Sequence, residues 1–506
     1  MRLRYRLGMT HDPIPSPFNM AAHVLARAID DPHKTALSVL GIDSTENWSY
    51  GEIEAAIRGA ATGLLQTGLI AGDHVLLRLG NTPDFPIAFL ACIAVGLIPV
   101  PTSSQLTVTE ITAMAAGLSP KAIIAGDDIS LPEHAASVID TTTFERFYTL
   151  PKADFVKGDP NRAAYIIFTS GTSGTPRGVV HAHRAIWARR MMHNGWYGLM
   201  RDDRVLHAGA LKWTYTLGTG LMDPWTLGAT ALIPEAGTPA QALPALMREH
   251  KASIFAAAPG VYRKLLKSPI ALIPTLRHGL SAGEKLPDTT RDAWTHATGT
   301  PIYEAYGMSE CSTFISGSPT MPADSGSLGQ PQPGRRIALL AKDGTLGDQG
   351  QIAVHKSDPG LMLGYFDASV ETANRFHGDW FLTGDIGSRL PSGAIRYEGR
   401  VDDMMNAGGY RVSPIEVETA LALHPIVHEA AAVALPIKED VTVIAAFYTS
   451  EDVIEEDELA AHCAKHLARY KAPRIFIRKA VLPRGANNKL LRRALRSQWE
   501  TENGQT

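Results

Sequence analysis

The sequence contains little cysteine, almost no net charge and no long uninterrupted apolar run. Its 506 residues include three cysteines, Cys92, Cys311 and Cys463, which are too few and too far apart to staple a chain of this length. We therefore expect free thiols that fill the core, in a reducing and hence cytoplasmic compartment. A net charge of −3 gives the whole chain no electrostatic reason to bind nucleic acid or a membrane surface.

The longest uncharged stretch, residues 85–109, is interrupted by three prolines and ends in polar residues. Its apolar part is too short and too broken to cross a bilayer. We interpret it as a buried helix over 87–95 followed by a short strand over 97–101. The N-terminus also lacks the apolar stretch of a secretory signal, so the sequence predicts a protein with neither a membrane span nor an export signal.

Apolar residues make up 45% of the chain, which excludes disorder for the bulk of it. Short β-branched runs alternate with segments of helical period, as in a strand expected over 164–168 and a helix over 181–194. This alternation predicts an α/β architecture with substantially parallel sheets. From about Gly326 the turn signals come closer together, which indicates a β-rich subdomain.

The polar turn that begins at Gly399 is the expected domain boundary. We predict a large N-terminal domain over 1–399 and a small mobile α+β domain over 400–506. The second domain is basic: eleven Lys and Arg and no Asp or Glu lie between Leu459 and Trp499. Charge alone leaves open whether this stretch binds an anion or is a solvated helical face, and the Arg492–Arg493 pair is interpreted as such a face.

The segment Thr169-Ser-Gly-Thr-Ser-Gly-Thr-Pro-Arg-Gly178 carries the strongest chemical signal. Hydroxyl residues alternate with glycines, and Arg177 closes the segment. Glycines let consecutive N–H groups converge on an anion, hydroxyls add donors, and the cation offsets phosphate charge. The glycine spacing is not that of a Walker A loop. We predict a phosphate-binding loop between a strand and a helix.

Together with four later motifs, this segment resembles the adenylate-forming superfamily, which comprises acyl-CoA synthetases, peptide synthetase adenylation domains and beetle luciferases. The later motifs are Tyr306-Gly-Met-Ser-Glu310, Trp380-Phe-Leu-Thr-Gly-Asp385, Gly399-Arg-Val-Asp-Asp403 with Gly408-Gly-Tyr-Arg411, and Leu482-Pro-Arg-Gly-Ala-Asn-Asn-Lys489. Their order and separations match the family over nearly the whole chain. The resemblance implies an AMP-forming acid–thiol ligase.

The resemblance also implies the parts of a nucleotide site. The loop would hold the β- and γ-phosphates of ATP, Tyr306 would pack on adenine, and Asp385 would accept from the ribose hydroxyls. Glu310 and the Thr169 hydroxyl would hold Mg²⁺, a cation that prefers oxygen ligands. The implied ATP and AMP site comprises Thr169, Ser170, Gly171, Thr172, Ser173, Gly174, Arg177, Ala282, Gly283, Glu284, Tyr306, Gly307, Ser309, Asp385 and Arg400.

In the C-terminal domain the resemblance implies a catalytic lysine, a hinge and a loop on the CoA side. Lys489 would stabilise charge when the acid's carboxylate attacks the α-phosphate. Asp402 matches the hinge, and Gly408 and Gly409 match the CoA-side loop. Arg177 replaces a more common Lys, which keeps the charge and changes its geometry. This and the other departures remove no required group, so a nucleotide-binding pseudoenzyme is only a remote alternative.

The acid and the acceptor are less sharply defined by the sequence. No phosphopantetheine attachment sequence follows the lysine motif, so we expect CoA as the co-substrate, with a carrier protein as the alternative acceptor. Bulky aromatic residues favour an aryl or short-to-medium-chain acid, although Thr313 stands where aryl-acid ligases often have a larger side chain. The homodimeric state is left open. The expected acid pocket comprises Trp213, Thr214, Tyr215, Gly218, Tyr303, Ala305, Thr313 and Phe314.

Overall fold

The structure, a computed structural model, describes residues 13–170, 176–401, 403–407, 410–438, 441–467, 469, 471–485 and 490–502. The chain divides into two compact units. The first comprises Met1–Ile337 and Val354–Trp380, and the second comprises Ala338–Ala353 and Phe381–Thr506. The expected domain boundary between residues 399 and 400 falls inside the second unit. The division into domains 1–399 and 400–506 stays a prediction.

Helices and strands alternate through much of the first unit, and strands dominate the start of the second. The α-helices are α1 Met20–Val24, α2 Tyr50–Gln66, α3 Asp84–Ala94, α4 Val108–Leu118, α5 Thr141–Arg146, α6 Ala185–Met192, α7 Asp223–Leu227, α8 Leu243–Glu249, α9 Pro259–Leu265, α10 Asp288–Thr298, α11 Ser369–Asn374, α12 Pro414–Ala422, α13 Glu456–His466 and α14 Arg492–Glu502. Short 3₁₀ turns cover Ala26–Ala28, Phe147–Thr149 and Ala240–Ala242, and π-helical turns cover His193–Tyr197 and Thr216–Met222.

The strands up to residue 331 are β1 Thr35–Leu40, β2 Thr45–Ser49, β3 His74–Arg78, β4 Ile98–Pro101, β5 Ala122–Ala125, β6 Ser137–Asp140, β7 Ala163–Ser170, β8 Pro176–Ala182, β9 Arg204–His207, β10 Thr230–Pro234, β11 Ile254–Ala257, β12 His278–Ala282, β13 Ile302–Met308, β14 Ser312–Ser316 and β15 Gln330–Pro331. The remaining strands are β16 Ile337–Leu340, β17 Leu346–Gly347, β18 Gln349–His355, β19 Gly364–Tyr365, β20 Phe376–His377, β21 Trp380–Arg389, β22 Ile395–Arg400, β23 Met405–Ala407, β24 Tyr410–Val412, β25 Glu429–Lys438, β26 Val441–Thr449 and β27 Ile475–Arg478.

A nine-stranded sheet in the order β15-β14-β13-β12-β11-β9-β10-β1-β2 organises the first unit. Strands β1, β9, β10, β11, β12 and β13 run parallel to one another. Strand β11 shows why both faces are covered: Phe255 and Ala257 enter one apolar cluster, whereas Ile254 and Ala256 enter another. The carboxyl ends of these parallel strands meet at one edge, where open α/β sheets bind ligands.

Two smaller sheets complete the first unit. Strands β4-β3-β5-β6 form a parallel sheet, and β19-β8-β7 form an antiparallel one. The uncharged segment folds into α3 and β4, as expected. Every residue of α3 is buried. The predicted α/β architecture with largely parallel sheets is confirmed. None of the helices in the described ranges is long and apolar enough to cross a membrane.

The second unit contains most of a sheet in which β17, β16, β18 and β21 are neighbours in that order. Strand β22 pairs antiparallel with β21. Strands β25 and β26 form an antiparallel hairpin, and β27 adds to it in parallel. Apolar clusters cover both faces of this last sheet, one of them containing Cys463. All three cysteines are free and buried, as expected.

Candidate active site

The predicted phosphate loop connects two antiparallel strands, β7 and β8. Their register places Thr169 opposite Arg177 and Ser170 opposite Pro176, so the proposed metal ligand and the cation are neighbours across the two strands. Four of the predicted phosphate-binding residues lie outside the described residues: Gly171, Thr172, Ser173 and Gly174.

The expectation of a helix directly after this loop was wrong. Residues 176–182 form β8, and α6 begins only at Ala185. Val179 and Val180 are β-branched and favour an extended backbone, and Val179 is fully buried. The chain therefore returns along β7 before it enters the helix, and β7 and β8 form a β-hairpin.

Two groups hold the Arg177 guanidinium beside this hairpin. Arg177 forms an ion pair with Glu371, and its guanidinium carbon lies 5.7 Å from the centroid of the Tyr365 ring. Tyr365 lies in β19, which pairs with β8. The Arg177 side chain is 24% exposed, so its charge remains accessible at the base of the loop.

Three separate elements fix the backbone of the turn that carries Glu310. The carbonyl oxygens of residues 309–311 accept, in order, the His181 Nε2–H, the Met362 N–H and the Arg335 Nη2–H, each at 2.7 Å. Burial lowers the pKa of His181 to about 4, so its ring is a neutral donor at physiological pH. The turn is therefore rigid, and Ser309 contributes to it through its backbone.

An ion pair that is shielded from solvent contacts this turn at Cys311. Arg335 Nε lies 3.2 Å from Asp358 Oδ2, and both side chains are fully buried. Arg335 also donates to the Cys311 Sγ at 3.0 Å. Breaking a buried pair of this kind leaves an uncompensated charge, which is far more costly than losing a surface pair. The pair therefore anchors the Glu310 turn through Cys311.

The Glu310 carboxylate accepts a hydrogen bond from the Tyr365 hydroxyl, with 2.7 Å between Oη and Oε1. Burial and the neighbouring Glu310 charge raise the pKa of Tyr365 well above its ordinary value, so the hydroxyl stays a donor. No Lys, Arg or His in the described ranges forms an ion pair with Glu310, and no group of three or more His, Cys, Asp or Glu is gathered there.

The predicted purine segment follows β12 at its carboxyl end. Ala282 is the last residue of the strand, and Gly283 turns the chain with φ of +96° before Glu284. A Cβ on Gly283 would lie 2.7 Å from Cζ2 of Trp213, so only glycine lets this ring approach. On the neighbouring strand, Tyr306 packs edge-on against Phe314 with 5.2 Å between ring centroids.

Gly307 lies beside Tyr306 at a register shift between β13 and β14. A side chain there would collide with the Ser312 carbonyl oxygen and the Thr313 backbone. The close strand approach thus requires glycine at this position of the Tyr306–Glu310 motif.

Four of the eight predicted acid-pocket residues belong to or pack against one apolar cluster on one face of the nine-stranded sheet. Tyr215 and Ala305 are buried members of the cluster, and Trp213 and Tyr303 pack against it. Trp213 meets Tyr215 edge to face at 5.2 Å between ring centroids. Of the other four residues, Thr214 is half-buried and Phe314 is fully buried. Thr313 donates to the Sδ of Met192, which belongs to the same cluster. Gly218 lies in the π-helical turn Thr216–Met222.

Behind Gly218 lies a buried ion pair that sequence reasoning missed. Arg189 Nε and Nη2 donate to the two oxygens of Asp223 at 2.8 and 2.6 Å, and the Tyr197 hydroxyl donates to the same carboxylate at 2.6 Å. A Cβ on Gly218 would overlap the Arg189 guanidinium. The available signal was that Asp223 is the only charged residue between Leu217 and Thr230.

A second overlooked residue, His207, ends β9 on the face that carries the acid-pocket cluster. It is fully buried, and its ring meets Tyr215 edge to face at 4.4 Å between centroids. Its Nδ1 accepts the Gly209 N–H at 3.0 Å, and burial lowers its pKa to about 3. His207 is therefore a neutral group in the pocket wall.

The two predicted ribose-side residues face each other in the second unit. Asp385 of β21 lies opposite Arg400 of β22, with 3.8 Å between Oδ1 and Nη1. The Tyr397 hydroxyl donates to the same carboxylate oxygen at 3.2 Å. Asp385 is 7% exposed, and its carboxylate is oriented by a cation and a phenol.

Comparison with known proteins accounts for the order of these motifs. The AMP-binding enzyme family matches residues 25–366, and the AMP-binding enzyme C-terminal domain matches residues 416–489. The chain belongs to the AMP-binding enzyme family. The resemblance inferred from the sequence motifs is thereby confirmed.

Curated relatives in the AMP-binding enzyme family cover nearly the whole chain. Acyl-coenzyme A synthetase ACSM2A of Homo sapiens is 29% identical over 97% of this chain and 92% of its own length. Benzoate–CoA ligase of Thauera aromatica is 30% identical over 90% of this chain and 92% of its own length.

Solved structures of similar proteins share the fold. The anthranilate CoA ligase AuaEII in complex with anthranoyl-AMP matches with a TM-score of 0.87 and 25% identity, covering 97% of this chain and 99% of that one. A benzoate CoA ligase from Burkholderia xenovorans LB400 matches with a TM-score of 0.84 and 28% identity, covering 95% and 100%. The expected architecture of a large N-terminal and a small C-terminal domain is confirmed.

Toward the C-terminus, four predicted residues lie outside the described residues: Asp402, Gly408, Gly409 and Lys489. The interpretation of Arg492 as part of a solvated face was wrong. Arg492 Nη2 lies 2.6 Å from Glu418 Oε2, and its Nη1 lies 3.2 Å from Asp403 Oδ2. Two carboxylates supplied from distant parts of the sequence convert this arginine into a structural anchor.

Proposed function

We propose that this chain is an ATP-dependent carboxylic acid:CoA ligase. The acid and ATP give an acyl-adenylate and pyrophosphate, and the CoA thiol then displaces AMP to give the thioester. The observation that carries the proposal is the convergence of Arg177 and Glu310 on Tyr365 beside the β7–β8 hairpin. In an AMP-binding enzyme, this pairing of a cation with a metal-competent carboxylate suits a bound triphosphate.

Arg177 binds the triphosphate by exchanging one anion for another. Its present partner, Glu371, is 34% exposed, so their ion pair is only partly shielded from water. Partly exposed pairs of this kind are weak, and phosphate oxygens offer a guanidinium stronger, charge-assisted hydrogen bonds. Binding of ATP therefore replaces Glu371 at little cost.

Glu310 and the Thr169 hydroxyl would hold Mg²⁺. The fit rests on the Glu310 carboxylate, which is fixed by its backbone and by Tyr365 and has no cationic partner within the described ranges. Bound there, Mg²⁺ would neutralise phosphate charge. The residues themselves contribute position: the turn over 309–311 keeps the carboxylate in place before the nucleotide arrives.

Asp385 binds the ribose hydroxyls. Arg400 and Tyr397 approach one of its oxygens, Oδ1, so the carboxylate is oriented in advance. An ionised carboxylate can accept two hydroxyl hydrogen bonds at once, which suits a vicinal diol.

The acid lies against the aromatic cluster around Trp213 and Tyr215. The buried Arg189–Asp223 pair occupies the space behind Gly218, and exchanging Gly218 for a larger residue is sterically blocked. A short pocket with rigid aromatic walls favours a flat aryl acid or a short-to-medium alkyl chain. A long alkyl chain would require these walls to move, and packed interiors resist such movement.

Two half-reactions require two arrangements of the C-terminal domain. Adenylate formation needs the Lys489 ammonium near the α-phosphate, because two anions approach each other there. Thioester formation needs an open path for the pantetheine arm beside Gly408 and Gly409. Rotation about Asp402, at the boundary between domains 1–399 and 400–506, would alternate the two arrangements.

The proposal is tested by product analysis with a panel of acids. Purified protein is incubated with MgATP and benzoate, 2-aminobenzoate, butyrate, octanoate or palmitate, with and without CoA. We expect repeated AMP and pyrophosphate release only with CoA, and palmitate as the poorest acid. A single burst of pyrophosphate that CoA does not convert to turnover would indicate a carrier-protein acceptor. ADP as product, or no acid-dependent pyrophosphate at all, would contradict the proposal.

A further inference from the structure

We infer that Tyr365 is a positioning residue for the nucleotide site: its hydroxyl fixes one oxygen of Glu310, and its ring supports the Arg177 guanidinium. The inference rests on the proposed roles of Glu310 and Arg177. It adds a residue that none of the five sequence motifs contains. One side chain thus sets both the carboxylate and the cation that receive the metal-bound triphosphate.

The contacts of the turn leave Glu310 little conformational freedom. Its carbonyl oxygen accepts the Met362 N–H at 2.7 Å, and the two neighbouring carbonyls are also bound, so the backbone cannot turn. What remains free is rotation of the side chain. The 2.7 Å hydrogen bond from Tyr365 Oη to Oε1 removes that freedom and leaves Oε2 available to a cation.

Tyr365 is itself held in place by its backbone contacts and by burial. Tyr365 pairs with Val179 of β8, and its backbone N–H donates to the Thr372 hydroxyl at 2.9 Å. Tyr365 as a whole residue is 6% exposed. Tyr365 therefore moves with the hairpin that carries the phosphate loop, and it transmits the hairpin's position to Glu310.

Arg177 lies over the ring of the same tyrosine, with 5.7 Å between its guanidinium carbon and the ring centroid. A guanidinium on an aromatic face is held loosely enough to turn toward a ligand and firmly enough to stay near it. The hydroxyl and the ring can be separated experimentally. Tyr365→Phe removes only the hydrogen bond to Glu310, whereas Tyr365→Leu also removes the support of Arg177.

The test measures equilibrium binding of ATP at increasing Mg²⁺, without acid or CoA, so it does not depend on turnover. In Tyr365→Phe we expect the half-saturating Mg²⁺ concentration to rise about tenfold or more, since partners of metal ligands commonly have effects of this size. At saturating Mg²⁺ the affinity for ATP should return to within about twofold of wild type. Tyr365→Leu should remain weakened even at saturating Mg²⁺, because Arg177 has lost its support.

Tyr148→Phe is the matched control, because Tyr148 also donates to a carboxylate, that of Asp84 at 2.5 Å, and its hydrogen bond and ring contacts within the described ranges involve neither Glu310 nor Arg177. It should leave the Mg²⁺ dependence unchanged at an equal thermal midpoint. Glu310→Gln distinguishes an error in the proposed nucleotide site from an error in the role of Tyr365. If Glu310→Gln leaves the Mg²⁺ dependence unchanged, the proposed nucleotide site is wrong. If Glu310→Gln raises it and Tyr365→Phe matches wild type, only the role of Tyr365 is overturned.

Discussion

The indole of Trp213 lies against the backbone of Gly283, where a Cβ would come within 2.7 Å of its Cζ2 atom. Trp213 belongs to the predicted acid pocket and Gly283 to the predicted purine pocket. The contact joins the walls of two binding sites whose ligands must react with each other. Its closeness gives the proposed reaction a fixed relation between acid and nucleotide.

Replacing Gly283 with alanine should therefore impair both sites together. The added methyl group would displace the Trp213 ring, and we expect kcat/KM to fall about tenfold or more for both ATP and the acid. Gly299→Ala is the matched control, because Gly299 also has positive φ, at +73°, but has no neighbour within 4 Å of a Cβ. If the two variants lose the same activity, backbone strain and not the contact with Trp213 is the cause.

Trp213→Ala should extend the range of acids. Removing the indole leaves volume beside Tyr215, and each additional methylene that fits changes the specificity ratio by about tenfold or more. We expect the ratio of kcat/KM for decanoate to that for benzoate to rise relative to wild type. Trp48→Ala, at a half-buried tryptophan in another cluster, serves as the control. A wild-type enzyme that already prefers palmitate would show that this pocket is assigned wrongly.

Buried neutral histidines predict a loss of stability as the pH falls. Burial lowers the pKa of His207 to about 3, below the value of about 6.5 in an unfolded chain. The unfolded state therefore takes up the proton first, and stability is complete above pH 6.5 and declines as pH falls below it. Each such residue contributes a slope of about 1.4 kcal/mol per pH unit in that window.

His207→Asn isolates this effect, because the asparagine Oδ1 can accept the Gly209 N–H in place of Nδ1. Urea unfolding at several values between pH 4.5 and 6 should show a slope that is shallower by about 1.4 kcal/mol per pH unit. An unchanged slope in a folded variant would mean that His207 does not resist protonation in the native protein.

The two half-reactions should be separable by substitutions in the C-terminal domain. Lys489→Ala should lose adenylate formation and still convert supplied acyl-adenylate and CoA to thioester. Asp402→Pro fixes φ at the proposed hinge and should show the opposite pattern. Gly409→Leu should behave like the hinge variant, because its side chain would obstruct the pantetheine path. Single-turnover kinetics of each half-reaction provide the measurement. Equal losses of both halves in Lys489→Ala would refute the two-arrangement account.

Sequence motifs located the parts of the site that depend on local chemistry. Gly283 and Gly307 lie where a glycine is sterically required, and Asp385 and Arg400 are direct neighbours across two strands. The alternation of strands and helices also predicted the parallel sheet correctly. These features depend on short-range backbone geometry, which a motif records directly.

Long-range contacts were beyond the reach of the motifs. Tyr365 meets Glu310 from 55 positions further along the chain, and Arg189 meets Asp223 across 34 positions. Arg492 was misread because Glu418 lies 74 positions before it. The hairpin at residues 169–178 was misread for a different reason: the β8 strand is specified by the burial of Val179, which periodicity alone does not show.

The central claim, an acyl-adenylate intermediate that passes its acyl group to CoA, is tested most directly with an acid labelled with ¹⁸O in its carboxylate. The labelled oxygen attacks the α-phosphate, and cleavage by the thiol breaks the bond between this oxygen and the acyl carbon. Mass spectrometry of AMP after turnover with MgATP and CoA should therefore find one ¹⁸O atom in its phosphate. Unlabelled AMP, or label in inorganic phosphate with ADP as co-product, would contradict the account.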